Sequence, residues 1–329
     1  MKRRRIGRTE LEVTEVSFGG AAIGGLYRAV PREAALEVLG VAWDAGIRYY
    51  DTAPFYGFGL SERRTGDFLR DHPRDQYVLS TKVGRLLRPV PENEVPEHGY
   101  VDPLPFAIDY DYSHDGILRS VEFSLARLGL NRIDIAFVHD IGAYTHGAEG
   151  NERHLRDLLD GGLKALERLK SEGTIRAYGL GVNEVEVCLN VLHEAPLDCI
   201  LLAGRYSLLD RSAVADLIPL CEARGTTLVV GGVFNSGILA TGAVEGAHFD
   251  YGPASPDIVG RVERMSATAE RLGVPLAAAA LQFPLASSVV STVLIGTAKA
   301  SSLSRNLELL SSPVSDAALS SFDRDAIML

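Results

Sequence analysis

The chain has 329 residues but only three cysteines, one tryptophan and no surplus of basic residues. Cys188, Cys199 and Cys221 are too few and too scattered for a disulfide framework, and they show no zinc-ligand spacing. No metal is expected, and a reducing cytoplasm is the expected location. A formal net charge of −10 argues against a nucleic-acid binder, which needs cations to neutralise phosphates. Long apolar runs are missing too. The most apolar window, "VPLAAAALQFPLASSVVSTVLIG" (274–296), is interrupted by Pro284 and a serine cluster. It reads as a buried helix followed by a buried strand, so no membrane association is expected. The basic start "MKRRRIGRTELEV" lacks the apolar stretch of a signal peptide.

What is present is enough apolar material for a large core. Hydrophobic residues make up 46% of the chain and charged residues 23%, as in ordinary globular proteins. Short apolar, β-rich runs recur along the chain: "VSFGG" (16–20), "IRYYD" (47–51), "YVLSTK" (77–82), "IDIAFVH" (133–139), "IRAYGLG" (175–181), "LDCILLA" (197–203), "TTLVVGG" (226–232) and "STVLIG" (291–296). Such runs suit strands buried on both faces of a parallel sheet. Helical patterns lie between them. "PREAALEVLGVAWDAG" opens with Pro31, closes with Gly46 and spaces Ala35, Val38, Leu39 and Ala42 at helical intervals. Gly129, Gly173 and Gly225 stand where helix C-caps belong. Eight strands each followed by a helix is the arithmetic of a (β/α)8 barrel of the α/β class. A doubly wound open sheet is the rival, but "GGAAIGG" lacks the GxGxxG spacing of a dinucleotide fingerprint. The even repetition predicts one domain over 1–329. Three additions are expected: an N-terminal β-hairpin, a long loop over 85–116 of the kind that forms lids, and an extra helix over 255–273.

In such a barrel, working groups project from the C-terminal ends of strands. The second strand ends in Asp51, with Tyr56 just beyond in "DTAPFY". The third ends in Lys82, the fourth in His139, and the fifth leads to Asn183. Each alone has a bland explanation: a cap, loop packing, a solvated lysine, a core histidine. Their joint occurrence on successive strand ends points instead to proton transfer at a carbonyl or hydroxyl. Tyrosine is a poor acid or base at neutral pH, since its ordinary pKa is about 10. A nearby ammonium lowers it, an aspartate fixes that ammonium, and a histidine orients the substrate oxygen.

These residues resemble the aldo-keto reductase superfamily. The resemblance rests on "GIRYYDTAPFYGFGLSERRTGDFL" (46–69), "VLSTKVGR" (78–85), "SLARLGLNRIDIAFVHD" (124–140), "GTIRAYGLGVN" (173–183) and "RYSLLDR" (205–211), in family order. It implies a barrel that binds a nicotinamide dinucleotide in an extended pose, with Asp51, Tyr56, Lys82 and His139 as the catalytic tetrad. Asn183 is the implied carboxamide contact. Ala203 and Gly231 stand where the family often has a glutamine and a stacking aromatic. The segment "VFNSGILATG" (233–242) implies pyrophosphate binding by the backbone amides of Asn235, Ser236, Gly237, Ile238 and Leu239. "IGTAKASSLSRN" (295–306) implies contacts from Gly296, Thr297, Lys299 and Asn306. Ser302 and Gly296 replace cations common in NADP-preferring members, so NAD is expected, with NADP possible through Lys299 or Arg305.

Within the superfamily, "FAIDYDYSHDGILRSVEFSLARLGL" (106–130) and "GGVFNSGILA" (231–240) look most like the aldose 1-dehydrogenase group. That implies oxidation of C1 of an aldose hemiacetal, of the L-fucose or D-threo-aldose type, to a lactone. Dehydrogenation of pyridoxal at C4 and general NADPH-dependent carbonyl reduction are the alternatives. Phe18, Tyr27, Phe55 and Tyr110 are the expected pocket aromatics. The expected assembly is a monomer or small homo-oligomer acting on a small sugar-like or pyridoxal-like substrate.

Overall fold

The computed structural model describes residues 1–328. Eight parallel strands close into a barrel, and each pairs with the next in sequence. They are β1 (Val16–Gly19), β2 (Tyr49–Asp51), β3 (Val78–Val83), β4 (Ile135–His139), β5 (Ala177–Val182), β6 (Cys199–Ala203), β7 (Thr227–Gly231) and β8 (Val290–Gly296). Strand β8 closes on β1 through Val293↔Val16 to Gly296↔Gly19. All eight strands anticipated from the sequence are present, as is the α/β barrel itself.

Alternation along the strands separates two apolar layers. Outward residues such as Tyr50, Leu79, Val138 and Leu180 pack against the surrounding helices. Inward residues such as Tyr49, Ile135, Phe137 and Val229 form a separate core. The N-terminal hairpin, Arg3–Arg5 with Glu12–Thr14, closes that inner core from below with Ile6, Leu11 and Val13. This alternation corrects one expectation. Phe18 lies between the inward-facing Ser17 and Gly19, so its ring turns outward onto Tyr50, at 6.1 Å between centroids. It is 1% exposed in the strand–helix layer and cannot reach a substrate at the barrel mouth.

The helices differ from expectation where glycine or proline intervenes. The helix that ends at the Gly225 cap is short, Leu217–Arg224. Pro219 has no amide to donate, so it is tolerated only in a first helical turn. A helix over Ala143–Asp157 was not anticipated; it is polar and kinks at Gly147, where φ is 66°. It runs through one π turn, Leu158–Gly162, into the helix Leu163–Ser171. The extra helix is present as Pro256–Leu272. The long segment over 85–116 is not a structureless loop: Arg85–Pro89 pairs antiparallel with Phe106–Tyr110. Prolines 89, 91, 103 and 105 hide this ladder in the sequence.

The hairpin is aimed by Gly84, the residue between β3 and Arg85. Its φ is 93°, and a Cβ there would fall on the Tyr112 ring. Gly84→Ala should therefore destabilise the fold by roughly 2–4 kcal/mol, from left-handed strain and overpacking together. Chemical denaturation of the variant measures this; a loss under about 0.5 kcal/mol would show that the hairpin is aimed by other contacts.

Candidate active site

Asp51, Lys82 and His139 all occupy inward positions at the C-terminal ends of β2, β3 and β4. Strand register brings them to one level: Asp51 pairs with Ser80, Lys82 with Phe137, and His139 with Gly181. Lys82 Nζ donates to Asp51 Oδ2 at 2.7 Å and to the Thr52 carbonyl at 3.0 Å. Ser80 Oγ donates to Asp51 Oδ1 at 2.6 Å and accepts from the Tyr49 hydroxyl at 3.0 Å. Glycine at 181 leaves room for the Lys82 stem, because a Cβ there would stand 3.4 Å from Lys82 Cε. Tyr56 lies on the turn after β2, its ring centroid 4.5 Å from Lys82 Nζ. The Tyr56 and His139 rings meet edge to face, 6.0 Å apart. The four residues singled out from the strand ends thus form one cluster.

Its electrostatics differ from expectation in one respect. Desolvation, followed by Asp51, Asp140 and Tyr251, raises the Tyr56 pKa well above the ordinary tyrosine value, with Arg85 opposing. The ammonium of Lys82 does not dominate, because the Asp51 carboxylate beside it offsets its charge. The shift is upward, opposite to the lowering expected from a nearby ammonium, so Tyr56 rests as a neutral phenol. Burial raises the Asp51 carboxyl too, against the pull of Lys82 and Ser80. Burial, Arg85 and Lys82 hold the His139 pKa well below the ordinary histidine value. His139 is therefore a neutral imidazole, and its 3.4 Å approach to Asp140 through Nε2 is not an ion pair. Its Nδ1 is buried with no partner among the described residues.

Several residues at this mouth carried no weight in the sequence. Arg85, directly after β3, is buried, pairs with Asp140 and lies 4.3 Å over the Phe55 ring. Tyr100, on the long segment, meets Phe55 at 5.3 Å and Tyr56 at 6.4 Å. The signals were there: a cation and an acid each adjoin a strand-end candidate, and an aromatic sits on the suspected lid. Of the expected pocket aromatics, Phe55 stands 6.0 Å from His139. Tyr110 lies farther out, against His146 at 4.7 Å, with Arg85 5.4 Å from its ring. Tyr27 is exposed and lines the adjoining cavity.

That cavity, about 1180 Å³, opens beside the cluster between the ends of β6, β7 and β8. Asn235, Ser236, Gly237, Leu239, Gly296, Thr297 and Asn306 line it, with Ser302 and Arg305. Asn183, Ile238 and Lys299 do not. The Asn183 carbonyl accepts from Arg205 Nε at 2.9 Å. The Ile238 side chain is buried in a core cluster. Lys299 is exposed at the start of the helix Ala300–Leu310. Four of the five expected anion-binding amides are already used: those of Asn235, Gly237, Ile238 and Leu239 donate to carbonyls of Gly232, Phe234, Asn235 and Phe234. Only the Ser236 amide finds no acceptor among the described residues. Glu184, beside Asn183, accepts from the Tyr144 amide at 3.1 Å and so caps the unanticipated helix. A further hairpin, His248–Phe249 with Gly252–Pro253, brings Tyr251 to the cavity wall. Asp250 receives two 2.9 Å hydrogen bonds, both from Arg205 Nη2, and the Tyr251 amide donates to Ser236 Oγ at 3.0 Å.

A closed parallel barrel with a Lys–Asp pair, a phenol and a neutral imidazole at its mouth has the makings of a barrel oxidoreductase. The aldo/keto reductase family model matches residues 15–325, and the chain belongs to that family. It is an oxidoreductase. It is 45% identical over 316 residues to pyridoxal 4-dehydrogenase of Microbacterium luteolum, covering 93% of this chain and 92% of that one. It is 40% identical over 304 residues to D-threo-aldose 1-dehydrogenase of a Pseudomonas species, covering 91% and 89%. Among solved structures it resembles the holo form of aldo-keto reductase AKR11C1 from Bacillus halodurans, with a TM-score of 0.78, 26% identity and coverage of 99% and 97%. No helix among the described residues is long and apolar enough to cross a membrane.

The neutral histidines set a pH dependence of stability. His139 is held well below its ordinary value and His146 is lowered to about 4, chiefly by burial. Below about pH 6.5 the unfolded chain binds protons at these sites that the folded chain does not, so their contribution to stability falls as the pH drops. Aspartates raised by burial act in the opposite sense, so the comparison must be between proteins. His139→Gln and His146→Gln should each flatten the loss of stability between pH 6.5 and about 4, read from denaturant midpoints. An unchanged slope in both variants would contradict the neutral assignment.

Proposed function

We propose that the protein oxidises C1 of an aldose hemiacetal to the lactone, with NAD as the preferred acceptor. The observation that carries this reading is the cluster of Tyr56 and His139 around the buried Lys82–Asp51 pair. The cavity beside it suits a nicotinamide dinucleotide: it holds about 1180 Å³, is glycine-bordered, and is walled by Ser236 with its unused amide. When bound, the dinucleotide supplies the acceptor for the C1 hydride. Ser236, Thr297, Ser302 and Asn306 would hold it. The phenolate form of Tyr56, a minor fraction at neutral pH that grows as the pH rises, takes the proton of the C1 hydroxyl on Oη, His139 hydrogen-bonds the same oxygen, and the C1–O bond becomes the lactone carbonyl. Lys82 stays paired to Asp51 and stabilises the Tyr56 phenolate before it takes the proton.

Pyridoxal, in its own cyclic hemiacetal form, is a second reading. The 45% identity to a pyridoxal 4-dehydrogenase favours it, while the aromatic faces of Phe55 and Tyr100 suit a pyridine ring and a sugar alike. Initial rates with L-fucose, D-arabinose and pyridoxal, each with NAD and NADP, separate these readings from NADPH-dependent carbonyl reduction. NAD should be preferred by about 10–100-fold in kcat/KM, since no cation stands at Gly296 or Ser302 to meet a 2′-phosphate. A preference for NADP would place that phosphate on Arg305, the cation that lines the cavity.

Tyr56→Phe should lower kcat by about 10²–10⁴-fold while leaving dinucleotide affinity unchanged. Because the phenol is held above its ordinary pKa, oxidation by the wild type should quicken steadily from about pH 7 to about pH 10. A flat profile across that range, or near-normal turnover by the Phe variant, would remove Tyr56 from the role of base.

A further inference from the structure

Asp140 follows the inward-facing His139, so simple alternation would turn its side chain toward the helices. Its φ of 43° reverses that direction, and its amide remains tied to the Gly181 carbonyl at 2.9 Å. The carboxylate reaches the barrel mouth, with Oδ2 3.4 Å from His139 Nε2. It is braced from behind by Arg85, whose side chain is 4% exposed, whereas that of Asp140 is 23% exposed. The guanidinium is itself fixed over the Phe55 ring. The arrangement presents a carboxylate oxygen to the cleft and hides the cation that holds it. Left-handed backbone at a non-glycine residue costs free energy and persists where the surroundings impose it, often at ligand sites.

His139 Nε2 marks where the reacting oxygen would be held. An oxygen on the neighbouring carbon then falls within hydrogen-bond reach of Asp140. We propose that Asp140, braced by Arg85, accepts a hydrogen bond from a hydroxyl on the carbon next to the one oxidised. The site thereby selects 2-hydroxy hemiacetals, that is aldoses, over aldehydes without that hydroxyl. This rests on the hemiacetal oxidation proposed above and specifies the substrate feature the site reads. Phe55 and Tyr100 offer apolar faces to the C–H surface of the same sugar.

The test compares L-fucose with 2-deoxy-L-fucose in kcat/KM, with NAD. Wild type should prefer the 2-hydroxy sugar by about 10–100-fold, the value of one hydrogen bond to a charged group. Asp140→Asn should cut that preference to below about threefold while leaving NAD affinity within about twofold. Asp140→Ser gives the same comparison if the Asn variant fails to fold. A preference retained in a folded variant overturns the proposal. So does an equal loss for both sugars, which would mean that Asp140 only positions His139. Wild type that oxidises pyridoxal but neither sugar refutes the aldose reading itself, and that result is seen before any variant is made.

Discussion

Lys82 is an ammonium inside a barrel, and its 2% exposed side chain cannot be left there alone. Taking one member from a buried ion pair costs about 3–5 kcal/mol, because the other charge stays behind unsolvated. The structure answers with a short chain of dependent contacts. Asp51 neutralises Lys82, Ser80 satisfies the second oxygen of Asp51, and Tyr49 donates to Ser80. All four residues lie on β2 and β3 in the inward phase, so a one-residue slip of either strand would turn its members into the helix layer. The pair therefore ties the register of the barrel to the composition of its mouth.

The same neutralisation governs the chemistry around it. A bare lysine would draw the Tyr56 proton away; a lysine saturated by aspartate leaves the phenol protonated at rest. A second pair, Arg85 with Asp140, repeats the device on the far side of His139. The imidazole thus stands between two buried cations, each with its own carboxylate. Burial and both cations disfavour the imidazolium. A neutral ring can share a proton with a substrate oxygen without bringing an uncompensated charge into a site of low dielectric.

The sequence made the barrel readable because each strand is a short apolar run closed by glycine or a polar residue, and because Asp51, Lys82 and His139 stand at those closures. Phe18 was misplaced because composition does not reveal phase; only the register Gly19↔Asp51 shows which residues of β1 face inward. Arg85 and Asp140 were passed over since neither is unusual where it stands. Their meeting requires Gly84 in a left-handed turn and Asp140 in another, and backbone sign is not written in residue type. The hairpin inside the long segment was hidden by prolines, and the helix at 143–157 by its glycines and low hydrophobicity. The loop that the resemblance assigns to the dinucleotide lines the cavity, yet most of its amides are used within the turn that shapes it.

Those backbone signs share a location. Among the described residues, eight non-glycine residues have positive φ, and six of them, Tyr27, Asp140, Asn235, Ser236, Asp250 and Tyr251, stand at the mouth or along the adjoining cavity. Each such residue costs on the order of 1–3 kcal/mol, a load that a chain tolerates only where neighbouring contacts over-determine the conformation. Those contacts can be named: Arg85 holds Asp140, the Asn235 side chain binds Ser207 Oγ at 2.5 Å and the Gly204 carbonyl at 3.1 Å, and Arg205 clamps Asp250. The barrel supplies the stability and the rim spends part of it on side-chain directions that alternation alone would not give. The carboxylate that Asp140 presents at the mouth and the cavity wall that Tyr251 forms are then two uses of one physical device, strain held in place by a largely buried arginine.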